Sequence, residues 1–595
     1  MLITWASTST RTKPSKEKFV NKFNFVKRLL LLTLLSTFLL TGAAGAADRV
    51  GDFSLLDQKG LFHNMSWYDD HVAIAFLVQT NGSAATEKAL PAFEALKVKY
   101  DSSGIEFMMI NPMGKLNRDS VQKELARLGS QIPVLMDDAR VISESLGIDK
   151  TGEVLIYNPS SFIIEYRGPV ENSEIALQEL IAGKAVSTTV VAVMGDPVNY
   201  PMLQQHQQSP ISYADEIAPI ITENCAECHR DGGIAPFAMD SHTMIQGWSP
   251  MIREVLMTKR MPPGQIDSHV GEFINSRLLS EAEVQKVIHW IEAGASNNDD
   301  NDPLTKLVWP ESKWAFGEPD QIIPVPEQHV PATGVLDYRY IDVPIDLGGR
   351  DRWLRASQYL PGDRTVLHHT VNNLFGPGQT ERIGRDRSDG PDQAKISGYT
   401  PGKVARMDPA NTGGLLKDGS ILKLNIHYTT TGKETVDRGE IGLWFYPEGE
   451  VPMERMSSRC ACIFTAEWTN IPPYDPNFEQ AQTITIAKDA HVFSMSPHMH
   501  FRGKSMRFVA DYPDGTSEKL INIANYNYNW QLSYSYKEPK FVPAGTKITA
   551  IGTFDNSVQN PANPDPARSV PWGQQSWDEM FFGSVRWKNL DQGSD

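Results

Sequence analysis

From Leu304 onward the chain is written in short runs of alternating apolar and polar residues, broken by Pro and Gly. YRYIDVPI (338–345), RWLRASQYLPGD (352–363), ILKLNIHY (421–428) and GEIGLWFYP (439–447) are of this kind. A period of two puts every second side chain on one face of a strand. Short strands separated by turn residues then stack as two layers over a shared core. This commits nearly half of the chain to β-sandwiches. A break at WTNIPPYDPNF (468–478) divides them, giving expected boundaries of 304–465 and 466–595. The aromatic residues of both halves read as core filling.

The same region carries histidines in a pattern that points to metal. In ITIAKDAHVFSMSPHMHF (484–501), a strand-like segment, His498 and His500 sit two apart and share a face. Upstream lie the adjacent pair His368-His369 in TVLHHTVNNLF (365–375) and His427 in LKLNIHYTT (422–430). Adjacent strand residues face opposite ways, so His368 and His369 can serve one ion only if the strand bulges or ends there. Downstream stands Asp578-Glu579-Met580. A lone His in a β-domain is usually a hydrogen-bonded structural residue. Met580, beside Trp577, Phe581 and Phe582, would by itself read as core packing. The argument for a metal comes from the whole set.

Taken in chain order, the histidine pair, a histidine in an L-x-x-H-Y strand, H-x-H and a methionine after two acidic residues are similar to one known arrangement. It resembles the copper type II, ascorbate-dependent monooxygenases, the family of peptidylglycine α-hydroxylating monooxygenase and dopamine β-monooxygenase. The resemblance covers the last half of the chain. It implies two packed jelly-roll-like sandwiches, one copper ion in each, facing across a solvent-filled cleft. His368, His369 and His427 correspond to ligands of the electron-transfer copper; His498, His500 and Met580 correspond to those of the catalytic, oxygen-binding copper. The residue types suit these roles, since imidazole binds copper in both oxidation states and a thioether favours Cu(I). The implied reaction is hydroxylation of a C–H bond of a small organic substrate with O2. Nothing matches the peptide-carboxylate clamp of the peptide-amidating relatives, so the substrate stays open. Zinc at the H-x-H, with hydrolytic chemistry, is a weaker alternative.

Residues 209–298 read as an α-helical, cytochrome c-like domain, because Cys225-Ala226-Glu227-Cys228-His229 is C-x-x-C-H, the c-type haem attachment signature. Cys225 and Cys228 would form thioethers to a covalently bound haem c, and His229 would ligate its iron. A thioredoxin-like C-x-x-C or a zinc pair fits poorly, for want of a βαβ context and a second C-x-x-C. Met261 in TKRMPPGQ is the expected second axial ligand, with His269, His242, Met239 and Met244 as other candidates. His/Met ligation would raise the reduction potential. LSEAEVQKVIHWIEAGA (279–295) predicts an amphipathic helix opened by a capping box of Ser280 and Glu283. His289 on it reads as a packed or surface residue. NNDDNDP (297–303) marks the boundary.

Residues 48–185 alternate strands and helices and resemble an α/β thioredoxin-like (redoxin) domain. Ile132-Pro133 stands where that family begins a strand with a cis-proline. The family's redox cysteines would follow the first long strand, where this chain has Thr80-Asn81-Gly82-Ser83-Ala84. No cysteine occurs in the domain, so thiol–disulfide chemistry is impossible there. It reads as a docking or scaffold module for a protein partner. Residues 186–208 read as a linker.

The N-terminus is basic to Arg28, apolar from Leu29 to Leu40, and small-residued to Ala47, the layout of a signal peptide over 1–47, with an uncleaved anchor as the alternative. Either places the mature protein outside the cytoplasm, periplasmic or secreted. The formal charge of −16 includes +6 from residues 1–47, leaving −22 on the rest, which argues against nucleic acid as a partner. Four cysteines in two close pairs do not make a disulfide scaffold. Cys460 and Cys462 would share a strand face, giving a disulfide or thiolate copper ligands, the disulfide being favoured.

The chain therefore reads as multidomain, an extracytoplasmic copper monooxygenase fused to a haem electron donor. Its cofactors would be two copper ions and haem c. Its partners would be substrate, O2 and an external donor, ascorbate or a periplasmic reductant. The alternative is a non-enzymatic redox or copper-handling protein.

Overall fold

The computed structural model describes residues 49–298, 301–309, 313–379, 393–403 and 405–590. The expected signal peptide lies outside them. Among the described residues no helix is long and apolar enough to cross a membrane.

The first region is an α/β layer. Strands β1 (Ser54–Asp57), β2 (Phe62–Asn64), β3 (Ala73–Val78), β4 (Ile105–Asn111), β5 (Val134–Met136), β6 (Val154–Asn158) and β7 (Ile163–Gly168) form one sheet in the order β2-β1-β5-β4-β3-β6-β7. β3, β4 and β5 run parallel. Every residue of β3, AIAFLV, is buried, as a parallel strand covered on both faces requires. Helices α1 (Ala84–Tyr100), α2 (Arg118–Leu128), α3 (Val141–Ser145) and α4 (Val170–Ile181) accompany the sheet. Where thiols would open α1, Ser83 caps the helix by accepting the Thr86 N–H, and its hydroxyl donates to Thr151 Oγ1 at 2.9 Å. The expected cis bond at Pro133 is not present. The cis peptide bond among the described residues is Met261–Pro262. With a trans peptide, the Pro133 carbonyl accepts the Met109 N–H at 2.8 Å and simply extends the β4–β5 ladder.

Helices α5 (Pro201–Gln208), α6 (Ala218–Asn224), α7 (His242–Met257) and α8 (Glu281–Glu292) follow. The predicted capping box of Ser280 and Glu283 is formed. The segment read as a linker ends in α5, which packs on α8: His206 Nδ1 lies 2.8 Å from His289 Nδ1, and His289 Nε2 donates to Glu144 at 2.7 Å. His289 is thus a buried link to the redoxin region.

Two β regions complete the chain. The first comprises β8 (Gln321–Pro324), β9 (Gln328–Val330), β10 (Arg339–Pro344), β11 (Arg352–Leu360), β12 (Leu367–Phe375), β13 (Arg406–Met407), β14 (Gly414–Leu416), β15 (Ile421–Tyr428), β16 (Thr435–Asp437) and β17 (Glu440–Phe445). Its main sheets, β10-β15-β12 and β13-β11-β17-β8, close over Val343, Leu354, Leu424, Ile426, Ile441 and Leu443. The second comprises β18 (Ser457–Ile463), β19 (Phe478–Thr485), β20 (Ala490–His498), β21 (Gly503–Asp511), β22 (Ser517–Ile523), β23 (Tyr534–Val542), β24 (Lys547–Phe554) and β25 (Phe581–Asn589). Its sheets are β18-β25-β20-β23 and β19-β24-β21-β22. One boundary moves: β18, expected in the first sandwich, pairs along its length with β25. The second sandwich therefore begins at Ser457, because ladder hydrogen bonds, not the Pro-rich break, decide membership.

Three regions meet at one carboxylate. Asp267, fully buried in the loop after α7, takes a guanidinium N–H from Arg118 of α2 and the Asn522 amide of β22 at 2.9 Å. Burial would raise this carboxyl, but Arg118 and Asn522 outweigh it and hold it below the ordinary range. Gly60 closes the same spot at φ +82°. A Cβ there would lie 2.9 Å from atoms of Arg118, Asn522 and Asp267.

Candidate metal centre

The first cluster is built by register. In the antiparallel β12–β15 pair, His369 stands opposite His427, and the register slips between Leu367 and His369. His368 is therefore the extra residue of a bulge, which meets the condition set by two adjacent histidines. The three imidazoles form a near-equilateral triangle, with ring centroids 5.2, 5.0 and 5.1 Å apart. One ring nitrogen from each lies within 4.8 Å of the others. Residues from the second sandwich cap it. Tyr528 stacks on His368 at 4.4 Å, its hydroxyl 3.2 Å from His427 Nδ1 and 2.6 Å from Ser576 Oγ. The Asn529 carbonyl oxygen accepts from His368 Nε2 at 3.3 Å. Burial pushes the pKa of His368 down to about 4 and that of His427 to about 3. Burial, then the neighbouring imidazoles, put His369 well below the usual range. All three rings are neutral at physiological pH. Converging neutral imidazoles with no carboxylate in the group suit copper or zinc.

The second group is built by contacts far apart in sequence. β20 ends at His498, whose ring lies 5.2 Å from His500 and stacks on its cross-strand neighbour Phe582 at 5.6 Å. His498 Nδ1 donates to Gln531 Oε1 at 2.5 Å, and His500 Nδ1 donates to the Asp578 carbonyl at 3.3 Å. Both rings therefore carry the proton on Nδ1 and the lone pair on Nε2. Fully buried Glu579 accepts the backbone N–H groups of His500 (2.8 Å), Arg502 (2.6 Å) and Met580 (3.3 Å). Burial raises this carboxyl to about 8 against those donors and the Arg502 charge. Arg502, also fully buried, donates to the Trp577 carbonyl at 2.9 Å and to Asn556 at 2.8 Å. The 577–580 segment is thereby pinned onto the H-x-H turn. Met580 lines, with His498 and His500, a cavity of about 650 Å³ that His369 also borders. Thioether beside two imidazoles suits Cu(I).

The two groups do not face each other across a solvent-filled cleft, as the resemblance implied. The rings of His369 and His498 are 6.1 Å apart. The loop carrying Tyr528, Asn529 and Gln531 reaches into the first sandwich and covers both groups, which draws them together. Sequence reasoning missed Arg502, Tyr528 and Gln531. An arginine two residues past H-x-H was the one available signal, since a charge inside a sandwich strand run calls for a buried partner.

In the helical region, Cys225 caps α6, and the amides of Cys228 and His229 bond to its carbonyl at 3.1 and 3.0 Å, so the motif makes one tight turn. His229 Nδ1 donates to the Phe237 carbonyl at 3.1 Å, leaving Nε2 the lone pair an iron needs. The two thiols and this imidazole fit haem c. Met261 is not brought to His229. It lines a separate cavity against β1 and β5, with Leu55 and Met136. Met239 is the methionine that shares the cavity of about 380 Å³ with His229. His269 and His242 are occupied by Asp138 and the Ala295 carbonyl, each at 2.8 Å.

The α/β region belongs to the thioredoxin-like class, and residues 46–173 match the model of the AhpC/TSA family. Similar solved structures include a hypothetical protein from Sinorhizobium meliloti 1021, 18% identical, covering 26% of this chain and 93% of that one, with a TM-score of 0.24. A putative thiol:disulfide interchange protein DsbE from Chlorobium tepidum is 15% identical and covers 23% and 95%, with a TM-score of 0.20. Peroxidoxin BcpB from Mycobacterium tuberculosis is 16% identical and covers 23% and 96%, also at 0.20. No curated protein matches the chain. The redoxin match supports an oxidoreductase role at a coarse level. The chain's cysteines, however, are at 225, 228, 460 and 462, outside that domain.

Proposed function

We propose that the chain is an extracytoplasmic copper-dependent monooxygenase that hydroxylates a C–H bond of a small organic substrate with O2 and carries its own c-type haem. The observation that carries this reading is the bulge at His368, which gathers three imidazoles beside a His498–His500–Met580 group over one cavity. Copper in these positions would supply one-electron redox chemistry and O2 activation. The protein's own part is to hold His498 and His500 as Nδ1–H tautomers, through Gln531 and the Asp578 carbonyl. Glu579 and Arg502 keep Met580 at the cavity wall. Tyr338, Phe464, Trp572 and Phe582 line the same space and offer an apolar seat for substrate. Cys225, Cys228 and His229 would hold the haem, a one-electron carrier, with an external donor, ascorbate or a periplasmic reductant, refilling it. On this reading 209–298 is a cytochrome c-like domain, and the basic-apolar leader directs export.

Metal and haem analysis with an O2-uptake screen tests the reading. Met580→Ala or His498→Ala should abolish product hydroxylation, and full activity in either refutes the site. Paramagnetic resonance of the oxidised protein distinguishes copper from zinc. A second reading, a non-enzymatic redox or copper-handling protein, is favoured by the redoxin domain having lost its thiols. Reduced protein that consumes no O2 in the presence of C–H donors would support it.

A further inference from the structure

The Cys460–Cys462 link is formed, and nothing in the fold requires it. It closes a loop with one intervening residue, and the chain-entropy gain of a crosslink falls as the loop it closes gets shorter. The strand that carries it is already held by continuous pairing from Ser457 to Ile463 against β25. Ala461 points into the sandwich core, whereas both cysteines stay partly exposed on the other face. Registered residues in a sheet share a face, and two rows cross that face. Cys462 stands beside Phe582, which stands beside His498; Cys460 stands beside Ser584, which stands beside Ser496. At strand spacing, Cys462 is about 10 Å from His498 across one phenyl ring. Cys460, Ser584 and Ser496 line a cavity of about 580 Å³ that also holds Arg586. Ser584 and Ser496 border the metal-site cavity as well.

We propose that Cys460 and Cys462 are a reversible dithiol–disulfide couple, a two-electron store for the His498–His500–Met580 site. This role rests on the monooxygenase reading. The two thiols become one disulfide and release two protons and two electrons. These, with O2 and one substrate C–H bond, balance to one C–OH and one water. Two equivalents of a small-molecule thiol entering the cavity restore the pair by exchange, leaving together as one disulfide. The couple complements a haem that carries one electron at a time.

The test uses the full chain with haem, copper-loaded and metal-free. Each sample is reduced with dithiothreitol, freed of it under nitrogen and exposed to air. It is then quenched with maleimide, and the peptide spanning 457–463 is weighed. The pair should open in the native protein and re-close at least ~10-fold faster in the copper-loaded form, with that acceleration lost in His498→Ala. The Cys460→Ser/Cys462→Ser variant should melt within about 2 °C of the wild type. A disulfide that resists reduction in the native protein, equal re-closure in the wild type and His498→Ala, or a much larger melting shift overturns the proposal. Copper content is measured first. Protein that takes up no copper sinks the site reading and this role together, whereas loaded protein with an inert disulfide sinks this inference alone.

Discussion

The three imidazoles of β12 and β15 and the His498–His500–Met580 group adjoin one another, yet they are held by different means. The first needs one strand pair and one bulge, so its geometry follows from the register of a single antiparallel pair. The second needs a buried carboxylate, a buried guanidinium and a segment some eighty residues downstream. A register-built site tolerates change around it as long as pairing stays put. A site built on a buried carboxylate depends on one side chain, because interior donors left without their acceptor cost far more than a lost contact.

The sharpest break is Glu579→Ala. It strands three backbone N–H groups, at about 1–3 kcal/mol for each donor left unsatisfied and about 3–5 kcal/mol in all. In denaturant titration of the metal-free protein the loss should be of that size. Copper stoichiometry should fall to the single ion of the three-imidazole cluster; retention of both ions would show that Glu579 does not support the second group. Acid acts next, and on the other cluster. The buried imidazoles have depressed pKa values, so between the ordinary value of 6.5 and about 4 the unfolded chain binds more protons than the folded one. Stability of the metal-free protein is full above pH 6.5 and falls as the pH drops, by roughly 3 kcal/mol at pH 4 from His368 alone. His368→Gln should flatten that fall, and an unchanged pH profile would count against burial as the cause. The mildest change is Tyr528→Phe, which removes the hydroxyl between His427 and Ser576 but keeps the ring on His368. It should cost about 1 kcal/mol and weaken metal binding at the three-imidazole cluster more than at its neighbour, as read by competitive chelation.

The layers of this molecule were legible in sequence wherever periodicity carried them. The alternating runs became the two sandwiches, and the βα alternation became the redoxin sheet. The adjacent histidines even stated their own requirement, a bulge, which β12 supplies. What could not be read depends on which distant segment lies alongside. β18 looks like the end of one sandwich and is an edge strand of the other, since nothing local says that Ser457–Ile463 will pair with Phe581–Asn589. Tyr528 reads as a core aromatic until the loop is seen crossing to the first sandwich. Met261 matched a familiar spacing after C-x-x-C-H. The chain turns it instead toward Leu55 and Met136 of a neighbouring region.

The knot of Arg118, Asp267 and Asn522 has a bearing on how the redoxin region has persisted without its thiols. Excising that region would leave Asp267 without its guanidinium partner and would uncover the Asn522 edge of the second sandwich. A lineage could therefore discard the cysteines freely while the body that bore them stayed indispensable as masonry. A chain lacking the redoxin region should be expected to precipitate before it can be assayed.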